Sequence, residues 1–173
     1  QLLGYYNTNL FVKSVIDKGT HFRFTILFPI DPRPSKQEND RIKDVPIDTK
    51  KEILIVDDNS LNLLITRKTI EKLSPMFTGT TADCGTKAIE LFKTSHFDLV
   101  LMDLNMPGLD GFKTTQYLKE INPDVVVIAL TALSYHNVIE EATKAGMADI
   151  ITKPYMLDDF EKTIKKHLTV NAC

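Results

Sequence analysis

Two apolar runs in this chain end in acid: ILIVDD at 53–58 and LVLMDLNMPGLDG at 99–111. A charge at the mouth of a buried strand is costly unless it is paired, bound to metal or chemically employed. Asp57, Asp58 and Asp103 are therefore the residues to explain, and two later runs end in Thr131 and Lys153. Carboxylates sharing a site raise one another's pKa unless a cation neutralises them. Their oxygens are hard ligands, suited to Mg²⁺ that keeps several waters. A lysine and a hydroxyl at the same spot can hold anionic oxygens. An acid nucleophile, Mg²⁺, Lys and Thr together suit phosphoryl transfer through an acyl phosphate. Taken singly, each residue has a plainer reading. An Asp at a strand end commonly forms a turn or caps a helix, and Pro107, Gly108 and Pro154 are ordinary punctuation. The weight lies in all five polar groups falling at strand ends in order.

The elements that must position them are legible. Short apolar runs at 53–56, 99–102, 125–130 and 149–151, with a weaker one near 77–82, read as strands. Between them lie helical patterns at 61–73, 86–94, 112–120 and 135–145, with Asn59 or Ser60 as a cap for the first. A last helix is expected to set Leu157, Phe160, Ile164 and Leu168 on one stripe. Strands apolar throughout, each followed by a helix, imply an α/β fold: a doubly wound parallel sheet covered on both faces. The carboxyl ends of such strands line one edge, where ligands bind.

Residues 31–50 carry three prolines, many charges and few aliphatic side chains, the composition of a solvated linker. Before it, NLFVKSVI and HFRFTILF flank Asp17-Lys18-Gly19, so a β-hairpin is expected with Gly19 at positive φ. Phe22, Phe24, Ile26 and Phe28 alternate on one face, the pattern of a half-buried strand. The organisation expected is thus a hairpin in 1–30, a linker in 31–50 and a phosphoacceptor domain in 51–169.

Whole-chain properties narrow the class. The 173 residues carry a net charge of −2, which argues against a nucleic-acid or anionic-membrane partner. Cys84 and Cys173 form no framework, so a reducing, cytoplasmic compartment is expected. No apolar run approaches the roughly 20 residues that span a bilayer. A chain beginning with Gln1 is expected to be a piece of something longer, with a parent that is membrane-anchored in one version of that reading.

From about 51 to 169 the chain resembles a response-regulator receiver domain, through the acid pair in VDDN (56–59), DLNMPGLDG (103–111), ALTA (129–132) and TKPY (152–155). The resemblance implies a five-stranded, flavodoxin-like sheet of order 2-1-3-4-5. It makes Asp103 the phosphoacceptor, with Mg²⁺ on Asp58, Asp103 and the backbone carbonyl of Asn105, and Asp57 acting through water. Lys153 would pair with a phosphoryl oxygen, Thr131 would hydrogen-bond one, and Gly111 would let the loop behind the site turn. Three residues before Lys153, where many receivers carry Tyr or Phe, stands Ile150. Tyr135 and Tyr155 are the nearby candidates to replace that aromatic.

Residues 1–30 resemble the last strands of a histidine-kinase ATP-binding domain, on Gly19-Thr20-His21-Phe22-Arg23-Phe24 with Leu27 and Pro29. Kinase domain, linker and receiver is the layout of a hybrid sensor kinase, and DDNSLN at 57–62 fits receivers of that kind. Gly4 stands alone where a glycine-rich ATP box would lie, and His21, His96, His136 and His167 lie in no phosphoacceptor-histidine box. This piece is expected to catalyse only its own phosphorylation and dephosphorylation. A phosphohistidine domain would be its donor and a histidine phosphotransfer protein a possible recipient, with no DNA-binding output. Two alternatives stay open. One is an interaction module that has lost its chemistry, although neither the acid pair nor the lysine is missing. The other is a phosphohydrolase of the haloacid-dehalogenase type, which wants an acid where Asn105 stands.

Overall fold

The structure, a computed structural model, describes residues 11–15, 19–23, 25, 49–132 and 136–169. The chain divides into two units, residues 1–41 and 42–173, and each is described by itself. In the first, β1 (Phe11–Val15) pairs antiparallel with β2 (Gly19–Arg23), Val12 facing Phe22 and Val15 facing Gly19. Gly19 takes φ +97°, the left-handed turn residue that the sequence expects. The expected half-buried face is not found: every described residue of the hairpin is exposed, Phe22 at 65%. A two-stranded ribbon has no second layer to cover either face. Phe24, Ile26 and Phe28 lie outside the described residues, as does 31–48 of the expected linker.

The second unit is a five-stranded parallel sheet: β3 (Lys51–Val56), β4 (Phe77–Ala82), β5 (Leu99–Asp103), β6 (Val126–Thr131) and β7 (Asp149–Thr152). Its order is β4-β3-β5-β6-β7, the expected 2-1-3-4-5 counted from β3. Five helices alternate with the strands: α1 (Ser60–Leu73), α2 (Gly85–Thr94), α3 (Gly111–Ile121), α4 (His136–Lys144) and α5 (Leu157–Thr169). Successive strand side chains point to opposite faces, so a strand buried on both sides must be apolar throughout. One face gathers Leu54, Val56, Val100, Met102, Val127 and Ala129 with Ala88, Phe92, Leu118 and Ala142 from α2, α3 and α4. The other gathers Ile53, Ile55, Leu99, Leu101, Ile128 and Leu130 under α1 and α5, with Ile70, Phe160 and Ile164. The expected stripe on α5 is shorter than its spacing suggests. Phe160, Ile164 and Leu168 are buried, but Leu157 is 45% exposed because the first turn of the helix precedes its contact with the core.

Two glycines shape the loop between β5 and α3, for different reasons. Gly108 sits at φ +79° and makes the turn, with open space where a Cβ would stand. Gly111, expected to serve turning, has no positive φ. A Cβ there would collide with the carbonyl oxygen of Asp103 and lie 2.9 Å from the Cα of Leu104. Its lack of a side chain lets α3 start directly behind Asp103. Asp110 caps the helix through the Lys113 N–H at 2.8 Å.

Gly111→Ala should therefore destabilise the domain by roughly 1–3 kcal/mol, the range for forcing atoms into a filled space. Gly108→Ala meets no atom and should cost only about 1–2 kcal/mol of left-handed backbone strain. Urea denaturation of the two variants checks the order. A Gly111→Ala protein as stable as the wild type would contradict the close approach.

Candidate functional site

All the strand-end residues singled out by sequence lie on the carboxyl edge of the sheet. Asp57 follows β3 and Asp58 is next, Asp103 ends β5, Thr131 ends β6, and Lys153 follows β7. Leu130 pairs in register with Asp103, and Thr131 with Thr152, so the parallel ladder delivers the residues side by side. Carboxylate oxygens of Asp57, Asp58 and Asp103 lie within 4.8 Å of one another, Asp57 and Asp103 buried and Asp58 exposed. The Lys153 ammonium donates to Asp57 Oδ2 at 2.6 Å and to Asp103 Oδ1 at 2.8 Å. Thr131 is buried, and its carbonyl accepts from the Lys153 N–H at 2.6 Å. The peptide between Lys153 and Pro154 is cis.

Charge balance in this pocket is uneven. Burial, the largest influence, pushes the Asp103 carboxyl above its ordinary value. The Lys153 hydrogen bond and charge pull it back, Asp57 pushes it up again, and the Asn105 N–H lowers it. For Lys153, burial works against the ammonium, yet its bonds to Asp103 and Asp57 outweigh that and hold its pKa above the usual lysine value. The three acids offer hard oxygens close enough to meet on one small divalent cation, so the donor set fits Mg²⁺.

Asn62 is the residue that sequence reasoning passed over. Its amide nitrogen donates to Asp57 Oδ1 at 3.0 Å and Oδ2 at 3.2 Å, while the Asn59 N–H reaches Oδ1 at 2.9 Å. Asn59 also caps α1, accepting from Leu61 and Asn62 N–H groups. A signal was present: helix side chains lean toward the N-terminus, so an amide in the first turn after an acid-ending strand points back at that acid.

Ile150 and Tyr155 separate. Ile150 is half-buried on the face of α2, α3 and α4, against a groove shared with Val138, Ala142 and Met147. Tyr155 packs with the opposite core cluster, its hydroxyl 3.2 Å from Thr66 Oγ1 and its ring stacked on Phe160 at 4.6 Å. It does not stand in for an aromatic at 150, because the sheet lies between the two faces. Tyr135 lies outside the described residues.

Residues 53–165, more than half of the chain, match the response regulator receiver domain family. The chain is 31% identical over 151 residues to the sensor protein EvgS of Escherichia coli, an alignment covering 87% of this chain and 12% of that protein. The chain therefore spans about an eighth of that relative's length. The chemotaxis protein CheY4 of Vibrio cholerae superposes with a TM-score of 0.66 at 21% identity, covering 69% of this chain and 100% of that one, a likeness of fold. The receiver domain of sensor histidine kinase PA1611 of Pseudomonas aeruginosa, solved with a magnesium ion coordinated in its active site cleft, gives 0.64 at 27% identity. That match covers 70% of this chain and 99% of that one. Among the described residues no helix is long and apolar enough to cross a membrane.

A raised pKa has a definite sign for stability. Asp103 keeps its proton to higher pH in the folded state than in the unfolded chain. Stability therefore falls as pH rises from the ordinary value of 3.8 through the raised one, and stays reduced above it. Asp103→Asn removes that burden. It should raise the melting temperature of the metal-free protein at pH 7 by roughly 2–5 °C, or about 1 kcal/mol, with the gain fading as pH falls through the raised value and gone below about pH 4. Circular dichroism melts at both pH values check this, and a lowered melting temperature at pH 7 would contradict it.

Proposed function

The chain belongs to the response-regulator receiver family, and on that premise we propose that it accepts a phosphoryl group on Asp103 from a phosphohistidine, as a station in a two-component phosphorelay. The observation that carries the reading is one ammonium held between two buried carboxylates, beside a third that is exposed. Asp103 is buried at the strand end with a small part of its side chain exposed, and an oxygen of its carboxylate is the group that attacks the incoming phosphorus. A bond forms from that oxygen to phosphorus as the phosphorus–nitrogen bond to the donor imidazole breaks. The imidazole leaves with the electron pair and takes a proton from water. The product is an acyl phosphate.

Each neighbour has work in that exchange. The Lys153 ammonium, released from Asp103 as its oxygen enters the acyl phosphate, pairs with a phosphoryl oxygen. The Thr131 hydroxyl donates to another. Asp58, Asp103 and the carbonyl of Asn105 would hold Mg²⁺, with Asp57 acting through water. When bound, the ion neutralises the gathering negative charge of acids and phosphoryl oxygens. The magnesium ion in the active site cleft of the PA1611 receiver domain supports magnesium as the ion.

The same reading takes residues 1–30 as the end of a histidine-kinase ATP-binding domain and 31–50 as the linker to the receiver at 51–169. A hybrid kinase of this layout would phosphorylate Asp103 from its own histidine domain and could pass the group to a histidine phosphotransfer protein in the cytoplasm.

With acetyl phosphate and Mg²⁺ the chain should gain one phosphoryl group, removed by hydroxylamine as an acyl phosphate is. Asp103→Asn should take up none. Lys153→Ala should label about a hundredfold more slowly, the loss typical of one preorganised donor to a charged transition state. Intact-mass spectrometry follows the adduct. Wild-type labelling of Asp103→Asn, or an adduct that survives hydroxylamine, would overturn the assignment.

A further inference from the structure

A carboxylate has about four lone-pair sites, and each of those on Asp57 accepts from the protein itself, so a metal-bound water reaches Asp57 only by displacing one of these donors. Asn62 takes two through its Nδ2, the Asn59 N–H a third, and the Lys153 ammonium the fourth. Asp57 is only 2% exposed. Asp103, by contrast, accepts from Lys153 on one oxygen and from the Asn105 N–H at 3.2 Å on the other, and Asp58 is exposed. Of the three acids gathered within 4.8 Å, Asp57 is the one whose oxygens are already engaged.

We propose that Asn62 is a positioning residue that keeps Asp57 from becoming a direct ligand of the divalent cation, so that the ion is left to Asp58 and Asp103. Its amide spans both oxygens of Asp57, which fixes the plane of the carboxylate and turns its lone pairs inward. The same hold sets where Asp57 draws the Lys153 ammonium, and hence how that ammonium sits on Asp103. Without the amide, two sites on Asp57 open. A cation then gains a third carboxylate but shifts toward β3, away from the oxygen that must attack. Binding tightens while the reaction slows. A residue that merely supported the fold would weaken both.

This inference rests on Asp103 being the phosphoacceptor, and the test keeps the two apart. The full chain and its Asn62→Ala variant are titrated with Mg²⁺, followed by amide chemical shifts, and then labelled with acetyl phosphate at saturating Mg²⁺. The expected result is a Mg²⁺ dissociation constant lower by roughly threefold or more and a saturated labelling rate lower by about tenfold, of the size that outer-shell partners of a metal site contribute. Asn62 is partly exposed on α1, so the variant is expected to fold, and Asn62→Ser, which also lacks the amide, is read in the same way if it does not. A dissociation constant unchanged or raised, or an unchanged saturated rate, overturns the role of Asn62. If the wild-type chain takes no label, the phosphoacceptor reading fails, and the Mg²⁺ titration alone then decides for or against Asn62.

Discussion

The Lys153 ammonium, 2.6 Å from Asp57 and 2.8 Å from Asp103, is the contact on which the site depends. Its two partners lie 96 and 50 residues away in sequence, so a single cation ties the ends of β3, β5 and β7 together. Two carboxylates brought into a packed sheet edge repel each other and lose hydration. An ammonium between them offsets both effects only while the geometry holds. That geometry is supplied by the sheet. Parallel register fixes how far each strand runs, and the two core layers leave the strands no freedom to slide.

Stability and chemistry pull in opposite directions at this edge. The core of apolar side chains on both faces can carry the cost of one poorly solvated acid, and Asp103 is where that cost is concentrated. Its raised pKa is the mark of a group that the fold would be more stable without. Lys153 limits the cost without removing it. Gly111 belongs to the same economy: with no Cβ, it lets α3 begin against the Asp103 carbonyl and closes the pocket from behind.

Much of this was legible in the sequence because the signals were long and periodic. Apolar runs, two of them ending in acid, placed all five strands, and Asn59 or Ser60 marked the start of α1. The strand-end positions of Asp57, Asp58, Asp103, Thr131 and Lys153 followed from that alone, and the family resemblance supplied the order of strands. What was not legible depends on three-dimensional neighbours. Leu157 has the spacing of a core residue but sits one turn too early to meet the core. The need for glycine at 111 comes from a backbone atom eight residues back, not from its own φ. Asn62 looks like an ordinary helix residue until the first turn of α1 is set beside the end of β3. Ile150 and Tyr155, five residues apart, face different layers because β7 ends between them. The alternation at Phe22 describes a face that the hairpin alone cannot cover.

The central claim is that burial raises the Asp103 pKa while Lys153 holds it down, and carboxyl carbon chemical shifts read this directly. In a metal-free sample labelled at aspartate, Asp103 should titrate above the ordinary carboxylate value in the wild type. Its pKa should rise further in Lys153→Met, where the hydrogen bond and the positive charge are gone but burial and Asp57 remain. An Asp103 that titrates at the ordinary value, and does not move when Lys153 is replaced, would contradict the account.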